Sequence, residues 1–228
     1  MATCSPQERY FPYGEAETAW LKARDRRLGA VIEAVGHIER TVDTDLYAAV
    51  VRHIVAQQIS NKALQTVWRR LVEAVGGIAP SAVQSAGRAA LQACGMSARK
   101  ADYILDFTGR VLCGTCDLEA IRQMPDAEAI AALSSLKGVG VWTAEMILLF
   151  CLCRPDILSY GDLAIQRGMR MVYRHRVITE ALFAKYRARL SPYGSVASLY
   201  FWAAAGGAVP GLADPAAKGA PPRREGRA

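Results

Sequence analysis

Apolar residues recur every three or four positions along most of this chain, which is the spacing of one buried face of an α-helix. In the first such segment these positions are occupied by Trp20, Leu28, Val31, Ile32 and Val35. The sequence lacks the two-residue alternation of β-strands, so the pattern predicts an all-α protein. The predicted helices cover 17–36, 45–60, 61–76, 98–114, 127–136, 141–153, 163–174, 179–190 and 194–205.

The ends of these helices carry residues that commonly begin or stop a helix. Ser60 and Ser97 each precede a predicted helix and can cap its first turn, and Asp43 or Thr44 can cap the second helix. Pro155 prevents the sixth helix from continuing, because proline has no backbone N–H to donate. The helices are therefore joined by short connections, as in a small helical domain.

The two ends of the chain differ from the helical body. Residues 1–15 contain Tyr10, Phe11 and Tyr13. These are too many aromatic rings for a free tail, so we expect this segment to pack against the body. Residues 206–228 are rich in Gly, Ala and Pro and end in basic residues, which predicts a flexible basic tail.

Composition favours a globular protein with an ordinary core. The chain has 228 residues, of which 52% are hydrophobic. No apolar run approaches the roughly 18 residues of a membrane span, and the N-terminus lacks a signal-peptide pattern. We therefore expect a cytoplasmic protein with no membrane partner. The six cysteines form no disulfide framework in so long a chain, and we expect reduced thiols that are mostly buried.

Positive charge is concentrated in one segment. The net charge is +7, and residues 163–190 hold seven basic residues against the single acid Glu180. Three of the arginines, Arg167, Arg170 and Arg174, have the spacing of one side of a helix. Such segments are most often simply solvated surface, but the concentration here favours nucleic acid as the partner.

The stretch LKGVGVWTAEM, at 136–146, has two glycines between two helices. Gly138 and Gly140 allow positive φ and a close backbone approach, and Val139 can enter the core and lock the turn. The first N–H groups of the following helix have no intrahelical partner, so this turn can bind a phosphate. An ordinary αα-hairpin with a glycine turn is the alternative explanation.

Four stretches follow one another along the chain: HIVAQQIS (53–60), CGMSARKADYI (94–104), LKGVGVWTAEM (136–146) and RPDILSYGDLAIQRGM (154–169). Their order and spacing resemble the helix-hairpin-helix DNA glycosylases, in particular the 3-methyladenine DNA glycosylase II branch, over residues 20–205. The resemblance implies two helical subdomains with the active-site cleft between them. One would comprise 16–45 and 136–205, with the hairpin and the catalytic residue, and the other the central bundle 46–135.

The resemblance also implies roles for particular residues. Asp162 matches the family's catalytic aspartate, which would stabilise positive charge on the sugar and orient or deprotonate the attacking water. Its other explanation, as the cap of the helix that follows, is compatible with that role. Gln58, with Gln57 beside it, matches the residue that fills the gap left by a flipped base. The implied contacts to the DNA backbone are Lys137, Gly138, Val139, Gly140, Thr143, Arg167 and Arg170.

Trp142 stands where the bifunctional members of the family have a lysine that forms a Schiff base with the sugar. Tryptophan cannot form one, so the implied enzyme is a monofunctional glycosylase with water as nucleophile and no lyase activity. The implied substrates are alkylated purines in double-stranded DNA, such as 3-methyladenine and 7-methylguanine, whose positive charge favours aromatic faces. The candidates for the base pocket are Trp142, Tyr193, Tyr13 and Phe11, with core packing as the alternative for each.

The resemblance bears on cofactors as well. Relatives hold a monovalent cation on hairpin carbonyls, which implies Na+ or K+ on those of Ser134, Leu136 and Val139. No cysteine follows Cys153, so the iron–sulfur cluster of some relatives is not expected, and neither is another cofactor. We expect a monomer that associates with the nucleoid through DNA.

Alternative functions remain open at this point. The CGTC motif at 113–116 is a candidate redox or metal site, although it ends a helix instead of joining a strand to a helix. A glycosylase for another lesion, such as 1,N6-ethenoadenine, hypoxanthine or 8-oxoguanine, is a second alternative. A helix-hairpin-helix protein that binds DNA without catalysis is the third.

Overall fold

The computed structural model of the protein describes residues 9–216. Within that range the chain forms twelve α-helices and one isolated antiparallel bridge, between Tyr10 and Thr41. The all-α prediction is therefore confirmed. None of the helices in this range is long and apolar enough to cross a membrane. The helices are α1 (Glu15–Arg24), α2 (Arg26–Val35), α3 (Leu46–Ala56), α4 (Asn61–Val75), α5 (Pro80–Ala93), α6 (Ala98–Leu112), α7 (Leu118–Gln123), α8 (Asp126–Ser134), α9 (Val141–Phe150), α10 (Leu163–Tyr173), α11 (Glu180–Leu190) and α12 (Gly194–Ala205).

Side-chain caps begin several helices where the sequence predicts them. Ser60 and Ser97 each accept a hydrogen bond from the backbone N–H three residues later, at 3.3 and 3.4 Å. The cap of α3 is Asp45 and not Asp43 or Thr44, because the Asp45 carboxylate accepts the N–H groups of the second and third helical residues. These caps satisfy donors that the helices themselves cannot.

Several helices differ from the prediction. The segment 17–36 forms two helices, α1 and α2, because Asp25 takes an extended conformation and caps α2. The sixth predicted helix ends at Phe150, three residues early. The sequence did not predict α5, which is kinked at Gly87 (φ +72°), or α7, which is only six residues long.

Asp25 is a buried carboxylate whose hydrogen bonds hold three helices together. Its Oδ1 accepts from the backbone N–H groups of Arg27 and Leu28, at 3.1 and 3.0 Å. Its Oδ2 accepts from the Tyr173 hydroxyl at 3.1 Å and from the Arg189 guanidinium at 3.0 Å. A buried carboxylate is costly unless it is hydrogen-bonded, so these four donors explain why Asp25 can join α2 to α10 and α11.

Contacts within the chain define two units. One contains residues 9–11 and 40–154, with α3 to α9, and the other contains 12–39 and 155–216, with α1, α2 and α10 to α12. The division differs from the predicted one, which grouped the hairpin with Asp162. The reason is that α9 packs on α8 and α3 through buried side chains such as Ile147, so the hairpin belongs to the central bundle.

Residues 206–216 lie against α10, so a free tail does not begin at 206. Asp214 accepts hydrogen bonds from Arg170 Nε at 3.0 Å and from Arg170 Nη2 at 2.5 Å. The Arg170 guanidinium lowers the pKa of Asp214, as expected for a two-point ion pair. Residues 217–228 of the predicted tail lie outside the described part of the chain.

Gly168 allows α10 and α12 to approach closely. A β-carbon at this position would overlap the backbone carbonyl of Phe201, and α12 carries the buried core residues Leu199, Tyr200 and Phe201. The overlap is with backbone, so a side-chain rotation cannot relieve it. The contact therefore requires glycine, although glycine is a poor helix former.

We predict that Gly168→Ala destabilises the protein by about 1–3 kcal/mol, because the added methyl group overpacks the α10–α12 contact. Thermal unfolding measures the effect. Gly109→Ala is the matched control, because Gly109 lies within α6 and a β-carbon there would have no atom within 4 Å. Alanine at that position should stabilise the helix by roughly 0.5–1 kcal/mol. A similar melting temperature for both variants would contradict the prediction.

Candidate active site

Asp162 begins α10 and is almost completely buried, with 7% of its surface exposed. Its Oδ1 accepts hydrogen bonds from the backbone N–H groups of Ala164 and Ile165, both at 2.8 Å. The same oxygen accepts from the indole Nε1 of Trp202 at 3.2 Å. The carboxylate is thus fixed by the helix that it caps and by a side chain of α12.

Trp202 was not among the predicted site residues. It lies forty residues after Asp162, and nothing in the local sequence links the two. Its position follows from the close α10–α12 contact at Gly168, because Trp202 is the next residue after Phe201, whose carbonyl lies against that glycine. Packing in the core therefore brings the indole donor to the carboxylate.

The chain before Asp162 is also fixed. The Gln166 side chain reaches back from α10 and donates its Nε2–H to the carbonyl oxygen of Tyr160 at 2.6 Å. The Tyr160 ring packs edge-on against Phe183 of α11, with the ring centroids 5.1 Å apart. Asp162 therefore lies between two restrained segments, and its backbone position does not depend on solvent contacts.

The turn between α8 and α9 uses its two glycines differently. Gly138 has φ +82°, as predicted, and a β-carbon there would overlap the Tyr103 ring. Val139 is buried, which confirms that it enters the core. Gly140 has φ −93°, so the prediction of positive φ is wrong for this residue. A β-carbon on Gly140 would project into open space, with nothing within 4 Å.

The N-terminus of α9 lies at this open surface. Gly140 is the N-cap, and it has no side chain that could accept a hydrogen bond from the first turn. The next two residues expose their side chains, Val141 by 58% and Trp142 by 46%. A helix N-terminus in these surroundings presents backbone N–H donors and partial positive charge to an external anion.

The two glutamines of the predicted insertion loop, between α3 and α4, have different surroundings. Gln58 is exposed and has φ +57°, which non-glycine residues seldom adopt. Gln57 instead donates its Nε2–H to the carbonyl oxygen of Gly138 at 2.5 Å. Gln57 is therefore engaged with the hairpin, and of the two only Gln58 keeps the exposure that insertion into DNA requires.

Lys137, predicted to contact DNA or solvent, pairs with a carboxylate of the same unit. Its Nζ lies 2.6 Å from Oδ1 of Asp106, which also pairs with Arg110 at 3.0 Å. The hydrogen bond from Lys137 lowers the pKa of Asp106. Asp106 is shared by two cations, so the cluster keeps a net positive charge, and the Lys137 side chain is 59% exposed, so its contact with a phosphate stays a prediction.

Comparison with known proteins identifies this arrangement. A family model described as HhH-GPD superfamily base excision DNA repair protein matches residues 51–192, which include both the glycine hairpin and Asp162. The chain belongs to the HhH-GPD superfamily. The match covers more than half of the chain and confirms the family predicted from the four sequence stretches.

Several proteins similar to this HhH-GPD protein are named for 3-methyladenine. DNA-3-methyladenine glycosylase 1 of Schizosaccharomyces pombe is 28% identical over 161 residues, which cover 68% of this chain and 71% of that protein. A crystal structure of DNA-3-methyladenine glycosidase from Bacillus halodurans has 34% identity and a TM-score of 0.77, over 87% of this chain and 93% of that one. The S. pombe 3-methyladenine DNA glycosylase in complex with abasic DNA has 25% identity and a TM-score of 0.72, over 83% and 96%.

The basic face of the HhH-GPD protein differs from the prediction. Arg170 forms the two-point pair with Asp214 and is therefore not available as a phosphate contact. Arg167 is more exposed and lies 3.9 Å from the same carboxylate. Arg174 has left the helical path, with φ +60° at the end of α10. Arg167 and Arg174 are both exposed, but only Arg167 lies within the helix.

The predicted aromatic pocket is also revised. Phe11 is a core residue with 4% exposure. The Tyr13 hydroxyl accepts from Ile38 N at 2.6 Å, and the Tyr13 ring stacks on His37 with the centroids 4.5 Å apart. These contacts confirm that the N-terminal aromatic segment packs on the body, and they give both rings a structural role.

Among the remaining aromatic and DNA-backbone candidates, some side chains pack within the protein and one is exposed. Tyr193 packs edge-on against Trp20, with the centroids 5.3 Å apart. Thr143 is buried in α9, so its side chain cannot reach DNA and only its backbone N–H lies near the helix terminus. Trp142 is the one predicted pocket residue that is largely exposed in the described range.

The cysteines are free thiols throughout the described residues. Cys94 and Cys151 are buried, whereas Cys113 is exposed, so the expectation of mostly buried thiols holds for only some of them. Hydrogen bonding with Thr115 lowers the pKa of Cys113. No group of three or more His, Cys, Asp or Glu residues within 9–216 could hold a metal ion, which weighs against a metal site at the CGTC motif.

We predict that Gly138→Ala destabilises the protein by about 1–3 kcal/mol, because alanine is strained at φ +82° and its methyl group meets Tyr103. Thermal unfolding measures the change. Gly140→Ala is the matched control, with an allowed φ and open space around the methyl group. Alanine is a poorer N-cap than glycine, so this control should lose up to about 1 kcal/mol, clearly less than Gly138→Ala. Equal destabilisation by the two changes would show that Gly138 is not specially required.

Proposed function

We propose that the protein is a monofunctional DNA glycosylase that excises alkylated purines of the 3-methyladenine and 7-methylguanine type from double-stranded DNA. The observation that carries the proposal is the buried Asp162 carboxylate, held by three donors in a domain of the HhH-GPD superfamily. The names of the relatives support the substrate class. Ethenoadenine, hypoxanthine and 8-oxoguanine remain the alternative lesions.

Asp162 would act on the sugar of the damaged nucleotide. As the bond from C1′ to the base breaks, positive charge develops on the sugar, and a carboxylate fixed in advance stabilises that charge without reorganising. Water adds its hydroxyl group to C1′ and releases a proton, which leaves an abasic site. A purine alkylated at N3 or N7 is already positively charged, so it leaves as a neutral base and needs little help from a general acid.

The turn between α8 and α9 would bind the DNA backbone. Its open helix N-terminus suits a phosphate, and contacts of this kind position a protein without reading sequence. The carbonyls of Ser134, Leu136 and Val139 would hold a Na+ or K+ ion, which would supply positive charge for binding a phosphate. The Leu136 carbonyl already accepts from Val139 N at 3.0 Å, but a carbonyl has a second lone pair, so the turn fits a hard cation.

Gln58 would occupy the space left in the duplex when the damaged base is extruded. Its exposure, next to the exposed Ile59, supports this role. Base flipping costs stacking and pairing energy, and a side chain that fills the gap recovers part of it. Trp142, exposed at the start of α9, is the remaining aromatic candidate for contact with the electron-poor base.

We predict that borohydride treatment during the reaction traps no covalent adduct between the protein and damaged DNA. Trp142 stands at the position of the Schiff-base lysine and has no amine that could attack C1′. Denaturing electrophoresis detects an adduct as a slower band. A known bifunctional glycosylase is the positive control, and a trapped band with this protein would contradict the monofunctional assignment.

We predict that Asp162→Asn lowers excision by about a hundredfold or more while keeping affinity for duplex DNA, since the amide retains the size but loses the charge that stabilises the sugar. The measurement is base release from duplexes that contain 3-methyladenine, 7-methylguanine, hypoxanthine, 1,N6-ethenoadenine or 8-oxoguanine. Excision by this variant at nearly the rate of the unmodified protein would refute the catalytic role of Asp162.

Trp202→Phe is a milder variant that tests the same site. It keeps an aromatic ring in α12 but deletes the donor to Asp162, so it should lose less activity than Asp162→Asn. Binding of the unmodified protein to duplexes without release of any of the five bases would favour the alternative of a DNA-binding protein without catalysis. Release of 8-oxoguanine or another non-alkylated base alone would favour a glycosylase for that lesion.

A further inference from the structure

Lys100, in the first turn of α6, reaches to the end of another helix. Its ammonium group donates hydrogen bonds to the carbonyl oxygens of Val55 and Gln57, at 2.8 and 2.6 Å. These carbonyls belong to the last turn and the C-cap of α3, where helical carbonyls lack intrahelical donors. A positive charge at this end also complements the helix dipole.

The residue after this clamp is Gln58, with its unfavourable φ of +57°. Left-handed backbone persists in a non-glycine residue only where the surroundings determine it. The carbonyl oxygen of Gln57 is held by Lys100, and the side chain of Gln57 is held by the carbonyl of Gly138 at 2.5 Å. The conformation of Gln58 is therefore imposed by bonds to its neighbour on the chain.

The same helix holds the hairpin. The ring of Tyr103 lies against Gly138, in the space that a β-carbon would need, and Asp106 pairs with Lys137 at 2.6 Å. Lys100, Tyr103 and Asp106 follow one another at intervals of three along α6. One side of this helix thus contacts the loop of Gln58 and the glycine turn, and Gln57 joins the loop and the turn directly.

We propose that Lys100 is a positioning residue for base extrusion, which holds Gln58 in its left-handed conformation at a fixed distance from the phosphate-binding hairpin. The proposal rests on the insertion role of Gln58 given above. Two of the three N–H donors of Lys100 are used by these backbone carbonyls, so we assign it a part in holding the loop and none in the chemical step. Burial lowers the pKa of Lys100, and a partly desolvated ammonium group is costly unless its donors are used.

A double-mutant cycle between Lys100 and Gln58 tests the proposal. Lys100→Met keeps the length of the side chain but removes its donors, and Gln58→Ala removes the inserted group. We expect each single change to lower the ratio of excision from duplexes to excision from single strands by about tenfold. The double variant should be no worse than Gln58→Ala, because Lys100 acts only through Gln58.

Lys22→Met is the control for loss of one positive charge, since Lys22 is exposed on α1 and makes only a 3.9 Å ion pair with Glu33. It should leave the ratio unchanged. Thermal unfolding establishes that each variant is folded, and Lys100→Gln, which can donate to one of the two carbonyls, replaces Lys100→Met in the cycle if that variant does not fold.

Two results would overturn the proposal. One is a double variant whose loss in the excision ratio equals the product of the two single losses, which would mean that Lys100 acts independently of Gln58. The other is an equal loss on duplexes and single strands, which would make Lys100 a general structural residue. If the unmodified protein releases no base from either substrate, the glycosylase function itself fails, and the role of Lys100 with it, which is distinct from both results.

Discussion

The candidate site depends on one constraint of helix chemistry: the first backbone N–H groups of an α-helix have no acceptor within the helix. Two helices of the protein treat these N–H groups differently. At α10 the acceptor is Asp162, so the group proposed for catalysis is oriented by the helix that it caps. At α9 the N-cap is Gly140, which has no side chain, so the helix terminus remains open to an external anion.

Close backbone approach explains how the rest of the fold supports these two helix ends. Gly168 brings α12 against α10, and with it the Trp202 donor to Asp162. Gly138 makes room for the Tyr103 ring, so that α6 supports the turn before α9. In both cases a β-carbon would force apart the elements that position the site. The glycines thus act through packing as well as through backbone freedom.

The sequence predicted what is encoded locally. Helices with strong apolar periodicity, the serine caps and the Gly138 turn could all be inferred from neighbouring residues, and Asp162 followed from a family motif. Partners that are distant in sequence could not be inferred. Trp202 meets Asp162, and Asp214 neutralises Arg170, only after α10 and the segments beyond it have packed. For the same reason surface charge was overestimated, since a lone arginine and a paired one look alike in a sequence.

The hydrogen bonds of Asp162 assign different parts to the two oxygens of its carboxylate. Oδ1 accepts from two backbone N–H groups and an indole, so it is committed to orientation, and a proton taken from water would have to go to the other oxygen, Oδ2. Stabilisation of a developing positive charge makes no such demand, because it acts through the charge of the whole carboxylate. A cationic leaving base lowers the need for proton transfer further. If Asp162 is the catalytic group, its whole carboxylate could stabilise the sugar electrostatically, whereas general-base activation of water would fall to Oδ2.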